Sequence, residues 1–231
     1  MTPLLETRKL SRSFGGLQAV TDVNFRVDRG EVRAIIGPNG AGKTTFVSLI
    51  SGRIAPSAGT ILFEGDDVTA LPAHRRVRRG IAYTFQITSI YANLTAEENV
   101  ALAAHRPGQK GNREHLARVG LADRAGQVAR TLSYGHQRLL EVAMGLALKP
   151  KLLILDEPTQ GLSDAEIEGF IHLVREVARE ETVLLIEHNM PLVMELAHRI
   201  TVLDRGSILA EGSPAEIRAN QSVQDAYLGS G

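Results

Sequence analysis

Cysteine and tryptophan are both absent from the 231 residues. Without cysteine there is no disulfide, no thiolate nucleophile and no thiolate-held metal, a pattern that fits a reducing compartment. No apolar run approaches the ~18 residues that a membrane-crossing helix needs. The densest runs, LLILDEP and VLLIEH, have only strand length. The opening MTPLLETRKL is charged by residue 6 and has no apolar centre of the kind a secretory signal carries. Net charge is missing too, with 26 Lys plus Arg against 26 Asp plus Glu. A neutral chain has no global field to hold a phosphate backbone, so nucleic acid is not an expected partner. A cytoplasmic location is therefore expected, and the sequons at Asn93 and Asn220 read as chance matches.

What is present is an ordinary globular composition, 43% hydrophobic and 23% charged, enough to bury a real core. Short β-type runs alternate with helical patterns, which predicts an α/β protein with a largely parallel sheet. Strands are expected at 32–37, 151–156, 182–187 and 199–204, and antiparallel strands at 19–27 and 59–68. Ser163 with Glu166, Ser213 with Glu216 and Thr95 with Glu98 have capping-box spacing and mark three helix starts. After the first of these, Ile167, Phe170, Ile171, Val174 and Val177 line one helix face. Residues 138–148 are apolar nearly all round, which predicts a helix buried on several sides. From 88 to 136 the chain has helical patterns and no convincing strand, and it reads as a helical lobe inserted into the core. The basic run HRRVRR, 74–79, reads as a solvated helix face. None of the seven histidines has metal-ligand spacing, so no zinc site is expected.

The chemistry is carried first by GPNGAGKTT, 37–45, a P-loop with Gly37, Gly42, Lys43 and Thr44 in the fixed places. Its glycines let successive amides curl inward into a nest for phosphate oxygens, and the helix that follows adds its positive end. Lys43 can reach between the outer phosphates, and the Thr44 hydroxyl can ligate Mg²⁺. Gly37, Asn39, Gly40, Ala41, Gly42, Lys43, Thr44 and Thr45 are thus the expected phosphate cradle. The second element is LLILDEP, 152–158. Asp156 ends a buried strand, where α/β sheets bind ligands, and is placed to hold Mg²⁺ through water. Glu157 follows it and can serve as general base toward a water in line with the γ-phosphate.

The third element is LSYGHQ, 132–137. With GPNGAGKTT before it, GIAYTFQ before Gln86, then LLILDEP, GLSD and LLIEH, the ordered set resembles the ATPase subunit of ABC transporters over essentially the whole chain. That resemblance implies a P-loop NTPase (RecA-like) α/β core, 1–87 and 137–231, with an antiparallel β subdomain and an inserted helical subdomain, 88–136. It implies that Phe14 stacks on adenine. It implies that Gln86 touches Mg²⁺ and the attacking water, and that His188 contacts the γ-phosphate and orients Glu157. Val20 and Gln137 join the nucleotide-contacting set, and Gly161 to Asp164 match the loop that crosses the dimer seam. Ser133 and Gly135 match the signature residues that face the γ-phosphate bound by a partner subunit. Two subunits then bury two MgATP between them. Tyr134 and His136 depart from the LSGGQ pattern, which bears on how closely that loop meets the partner backbone and the ribose.

Within the family, RSFGGLQAV, LSYGHQRLLEVA, LLIEHNMPLVMEL and the ending VQDAYLG resemble the ATPases of branched-chain and other hydrophobic amino-acid importers. The lobe between Gln86 and Ser133 is shorter than is usual there. The implied partners are transmembrane permease subunits, a second ATPase subunit in a homo- or heterodimer, and indirectly an extracytoplasmic solute-binding protein. The implied place is the inner face of the membrane. Docking of a permease helix is expected at Ile87, Ile90, Tyr91 and Leu94. Urea, amide or aromatic-acid import, lipopolysaccharide export and a soluble non-transport ATPase stay open as alternatives.

Overall fold

The computed structural model describes residues 2–84, 90–104 and 112–228. Among them, six strands form one sheet in the order β10-β9-β3-β8-β7-β6. These are β3 (Val32–Ile36), β6 (Ile81–Thr84), β7 (Leu152–Asp156), β8 (Thr182–Ile186), β9 (Arg199–Asp204) and β10 (Ser207–Gly212). All pair in parallel except the edge hairpin β9–β10. A second, antiparallel sheet has the order β2-β1-β4-β5, from β1 (Leu5–Phe14), β2 (Leu17–Val27), β4 (Ala58–Phe63) and β5 (Asp66–Asp67). The anticipated strands lie within a residue or two of their places, except that 59–68 divides into β4 and β5 at a Glu64–Gly65 turn.

Strand alternation explains how the layers stack. Ile154, Leu184 and Ile186 face helix α1 (Lys43–Ser51), which puts Phe46, Val47 and Ile50 between the two sheets. There Phe46 meets Phe25 edge-on, with ring centroids 5.2 Å apart. Leu153, Leu155, Val183 and Leu185 point the other way, onto helices α5 (Tyr134–Ala147) and α6 (Asp164–Val177). A third cluster joins Ile36, Ile200 and Val202 to α7 (Met190–Leu196), α8 (Pro214–Ala219) and α9 (Gln221–Leu228). Each of the three capping boxes is formed, at Thr95, Ser163 and Ser213. Between residues 90 and 133 the described chain holds α3 (Ala96–Ala103), α4 (Asn112–Arg118), two short 3₁₀ turns and one isolated bridge.

Two expectations change. The basic run forms α2 (Ala73–Arg79), but Arg76 is only 1% exposed, so this is not a wholly solvated face. Its guanidinium donates to the carbonyls of Leu49 and Ile50 at 2.7 and 2.8 Å, and to those of Leu71 and Thr69. It thereby adds donors to carbonyls in the last turn of α1, where helix carbonyls run short of partners. Helix α5 begins at Tyr134, four residues before the apolar run, because Ser133 caps it by accepting from the His136 amide. Inside that helix the apolar reading misses a buried ion pair, Arg138 to Glu141 at 3.0 Å.

Candidate active site

Three adjacent strands, β3, β8 and β7, deliver their carboxyl ends to one edge of the sheet. That edge is where ligands bind in open α/β folds. The 37–45 segment joins β3 to α1. Gly37, Gly40 and Gly42 all have positive φ, 151°, 79° and 95°. Glycine is required twice by close approach: a Cβ would lie 2.1 Å from the Leu203 carbonyl oxygen at Gly37, and 2.3 Å from that of Ala19 at Gly42. The turn between β9 and β10 braces the loop from behind through the Gly206 amide, which donates to the Ala41 carbonyl at 3.0 Å. Gly42 stands at the N-cap of α1 with no side-chain cap, and the first turn holds no acidic residue, so the helix offers its amides to an anion.

Lys43 is buried to 8% exposure, and its ammonium donates to the carbonyls of Gly37 and Pro38 at 2.6 and 3.0 Å. Burial pushes its pKa down, while Glu157 and Asp156 pull it back up. Thr44, Asn39 and Gly40 are exposed on the open side of the loop, and Thr45 is half-buried.

Asp156 ends β7 and is buried. Burial raises its carboxyl above the usual range, and a hydrogen bond from the Tyr83 hydroxyl, 2.6 Å, works against that. Burial, and then Asp156 itself, push the Tyr83 phenol up, so it stays a donor. Glu157 has φ 47°, and its amide donates to the Ile186 carbonyl at 2.9 Å, which turns the chain away from the sheet at this residue. His188 follows β8 with its side chain exposed. Its amide donates to the carboxylate of Glu187 at 3.0 Å. Glu187 is fully buried and also accepts from Asn189 and Thr159.

The structure therefore brings together Lys43, Asp156, Glu157 and the strand that carries His188. Ser133 and Gly135 open helix α5. A Cβ on Gly135 would come 2.2 Å from Glu166 Oε1 and 3.2 Å from Leu162, both on the segment that follows Glu157. Tyr134 lies on the same segment, since a Cβ on Gly161 would sit 2.9 Å from its ring. It also lies 5.4 Å from the Arg138 guanidinium. Gln137 uses its amide locally, donating to the Leu132 carbonyl at 3.1 Å. Phe14 is 45% exposed and stacks under Arg12 at 4.6 Å, so it is not a core residue. Val20 is buried in the core around α1, in the same cluster as Ala41 and Phe46. Gln86 and Ile87 lie outside the described residues. Sequence reading passed over Tyr83 and Glu187. For Glu187 the only signal was its place directly before His188; Tyr83 carried none, since its link to Asp156 comes from the pairing of β6 with β7.

Oxygen donors of the hard type that Mg²⁺ selects are present at the site, as the Thr44 hydroxyl and the Asp156 carboxylate. The donor set therefore fits a magnesium nucleotide.

Comparison with known proteins gives the family. A family model described as ABC transporter matches residues 20–160. A second, described as Branched-chain amino acid ATP-binding cassette transporter, matches residues 207–231. The high-affinity branched-chain amino acid transport ATP-binding protein BraF of Pseudomonas aeruginosa is 39% identical, with 98% of each chain covered. LivG of Escherichia coli, of the same description, is 37% identical over 98% of each chain. Among solved structures, the ADP conformation of an ATP-binding cassette of an ABC transporter superposes with a TM-score of 0.92 at 26% identity, covering 99% of this chain and 100% of that one.

Proposed function

The chain belongs to the ATP-binding subunits of ABC transporters, and from that premise we propose that it powers import of branched-chain amino acids through a pair of permease subunits. It is an ATPase of that family, with the P-loop NTPase fold. The observation that carries the mechanism is the convergence of the phosphate loop, the Asp156–Glu157 pair and the His188 loop at three neighbouring strand ends.

In this reading, the 37–45 amides and Lys43 hold the phosphates of ATP, and Phe14 offers an exposed ring face to the base. Thr44 and Asp156, with Gln86, would hold Mg²⁺. When bound, the ion neutralises charge on the outer phosphates. Glu157 takes the proton of the attacking water, and His188 orients Glu157 and meets the γ-phosphate. The neighbours of Gly135 are Glu166 and Leu162, not the phosphate loop, and Ser133 stands two residues before it. A second subunit, head to tail, then supplies Ser133 and Gly135, with Gln137 behind, to the nucleotide. ATP becomes part of the interface, and its hydrolysis lets the two subunits part. The partner ATPase is either a copy of this chain or a relative, as BraF and BraG of one organism share a description.

Residues 88–136 are read as the helical subdomain that couples this cycle to the permease. Tyr91 is exposed, and Ile90 and Leu94 are half-buried beside it. No described helix is long and apolar enough to cross a membrane, so attachment to the inner face would come through the permease. A solute-binding protein would act on the far side.

The test is the Glu157→Gln variant on a sizing column with and without MgATP. A dimer that forms only with MgATP is expected, together with loss of turnover. ATP hydrolysis at the parent rate would remove Glu157 from its role. For the solute, transport by the assembled complex should be competed by leucine, isoleucine and valine and not by urea or short amides.

A further inference from the structure

The geometry points to Tyr83 as a positioning residue for the divalent metal of the nucleotide site, acting by holding the Asp156 carboxylate in one orientation. This rests on the reading of Asp156 as a metal holder.

The sheet register creates the contact. Strands β6 and β7 run parallel with Tyr83 opposite Ile154, so Asp156, two residues further on, is the diagonal neighbour on the same face. A long side chain spans that diagonal, and a one-residue slip would send Tyr83 to the opposite face. The phenol reaches Asp156 Oδ2 at 2.6 Å. It is held from its other side by Arg53, which follows α1. The Arg53 guanidinium donates to the Tyr83 hydroxyl oxygen at 3.2 Å and lies 5.2 Å from the ring centroid. Arg53, Tyr83 and Asp156 thus form a chain from the far end of α1 to the end of β7.

The chemistry follows from what a carboxylate does when nothing holds it. Its terminal torsion is broad, so both oxygens sweep through many orientations. The Tyr83 bond engages Oδ2, fixes the carboxylate plane and leaves Oδ1 free for a cation or its water shell. A fixed ligand plane reduces the ordering cost of binding an ion that demands near-ideal octahedral geometry. Partners of this outer kind are commonly worth about 10- to 100-fold in metal affinity. Tyr83 also stands three residues before Gln86, so the strand that orients Asp156 leads directly into the segment carrying the second proposed metal contact.

The deciding quantity is how much Mg²⁺ improves ATP binding, measured by calorimetry on the full chain as the ratio of ATP affinity in Mg²⁺ to that in EDTA. Tyr83→Phe keeps the ring and removes the hydroxyl. It is expected to lower the ratio about 10-fold with the EDTA affinity unchanged, whereas a general packing defect would lower both affinities together and leave the ratio intact. Asp156→Asn should lower the ratio at least as far. If Asp156→Asn lowers it and Tyr83→Phe does not, the inference about Tyr83 is overturned while the metal reading stands. If neither lowers it, Asp156 does not hold the metal and both fall. Should Tyr83→Phe fail to fold, Arg53→Leu reads the same ratio through the phenol's second partner. A drop of roughly 2- to 3-fold supports the inference, and an unchanged ratio overturns it.

Discussion

Glu187 accepts a hydrogen bond from the Thr159 amide at 3.1 Å and so ties the loop after β7 to the loop after β8. The same carboxylate takes the Thr159 hydroxyl and the amides of His188 and Asn189. It has no solvent exposure, and Thr159 is buried with it, so the Thr159 donors have no water to fall back on. Removing a buried acceptor costs more than its hydrogen bonds contribute net, because the donors stay desolvated. Glu187→Ala should therefore lose roughly 2–3 kcal/mol in urea unfolding. It should also cut ATP turnover at least 10-fold through misplaced His188, with ATP affinity nearly kept. Glu187→Gln keeps one acceptor oxygen and should fall between the two. Parent-like turnover in Glu187→Ala would separate His188 placement from this network.

Ser133 has two tasks in the reading given above, and they can be separated. It caps α5 by accepting from the His136 amide at 3.2 Å, and it faces a partner's γ-phosphate. The cap alone is worth about 1 kcal/mol. Ser213 caps α8 in the same way but lies in no part of the site. Ser133→Ala and Ser213→Ala should lose similar stability by thermal unfolding. Only Ser133→Ala should lower turnover of the assembled transporter, by roughly 100-fold if its hydroxyl meets developing charge. Equal turnover in the two variants would leave Ser133 a cap and nothing more.

The phosphate loop and the two acidic residues were legible in the sequence because their chemistry needs fixed spacing along the chain. Local signals also carried the capping boxes, since a box spans only three residues. What was not legible depends on pairing between distant segments. Tyr83 meets Asp156 only through the register of β6 with β7, and Arg76 reaches the end of α1 only through the packing of α2. A charged run reads as solvated until the partners of each residue are known. Val20 is buried in the α1 core, a placement that strand alternation sets and no local motif announces. Strands β1 and β10 escaped notice because edge and two-layer strands lack the continuous apolar run that marks β7 and β8.

The three capping boxes make a shared pH prediction. Glu98, Glu166 and Glu216 have pKa values below the usual 4.5, chiefly through hydrogen bonds from the backbone amides of Thr95, Ser163 and Ser213. A depressed folded value means that the ionised form stabilises the fold. That stabilisation is present above 4.5 and is lost as the pH falls through the lowered folded values. Glutamine at the same position can still close the box but cannot titrate. The triple variant Glu98→Gln, Glu166→Gln, Glu216→Gln should melt below the parent at neutral pH, and the gap should close on acidification below 4.5. A gap independent of pH would assign the difference to packing instead.

Asn99 is the residue on which permease docking should depend most indirectly. It is fully buried in α3, accepts from the Tyr91 amide at 2.7 Å, and donates to the carbonyls of Tyr91 and Thr95 at 3.1 and 2.9 Å. One amide therefore fixes both ends of the 91–95 turn, and the turn presents Tyr91, 57% exposed, outward. An exposed aromatic held rigidly loses little entropy on binding, which is what a docking anchor needs. Tyr91→Asp should abolish transport while leaving ATP affinity and the MgATP-dependent dimer of Glu157→Gln intact. Asn99→Leu removes the brace without touching the exposed ring. It should lower transport at least 10-fold while costing roughly 1–3 kcal/mol of stability, as expected when buried amide and carbonyl groups lose their partner. If transport survives Tyr91→Asp, the permease does not seat on this turn. If it survives Asn99→Leu alone, the ring docks without needing its backbone held in place.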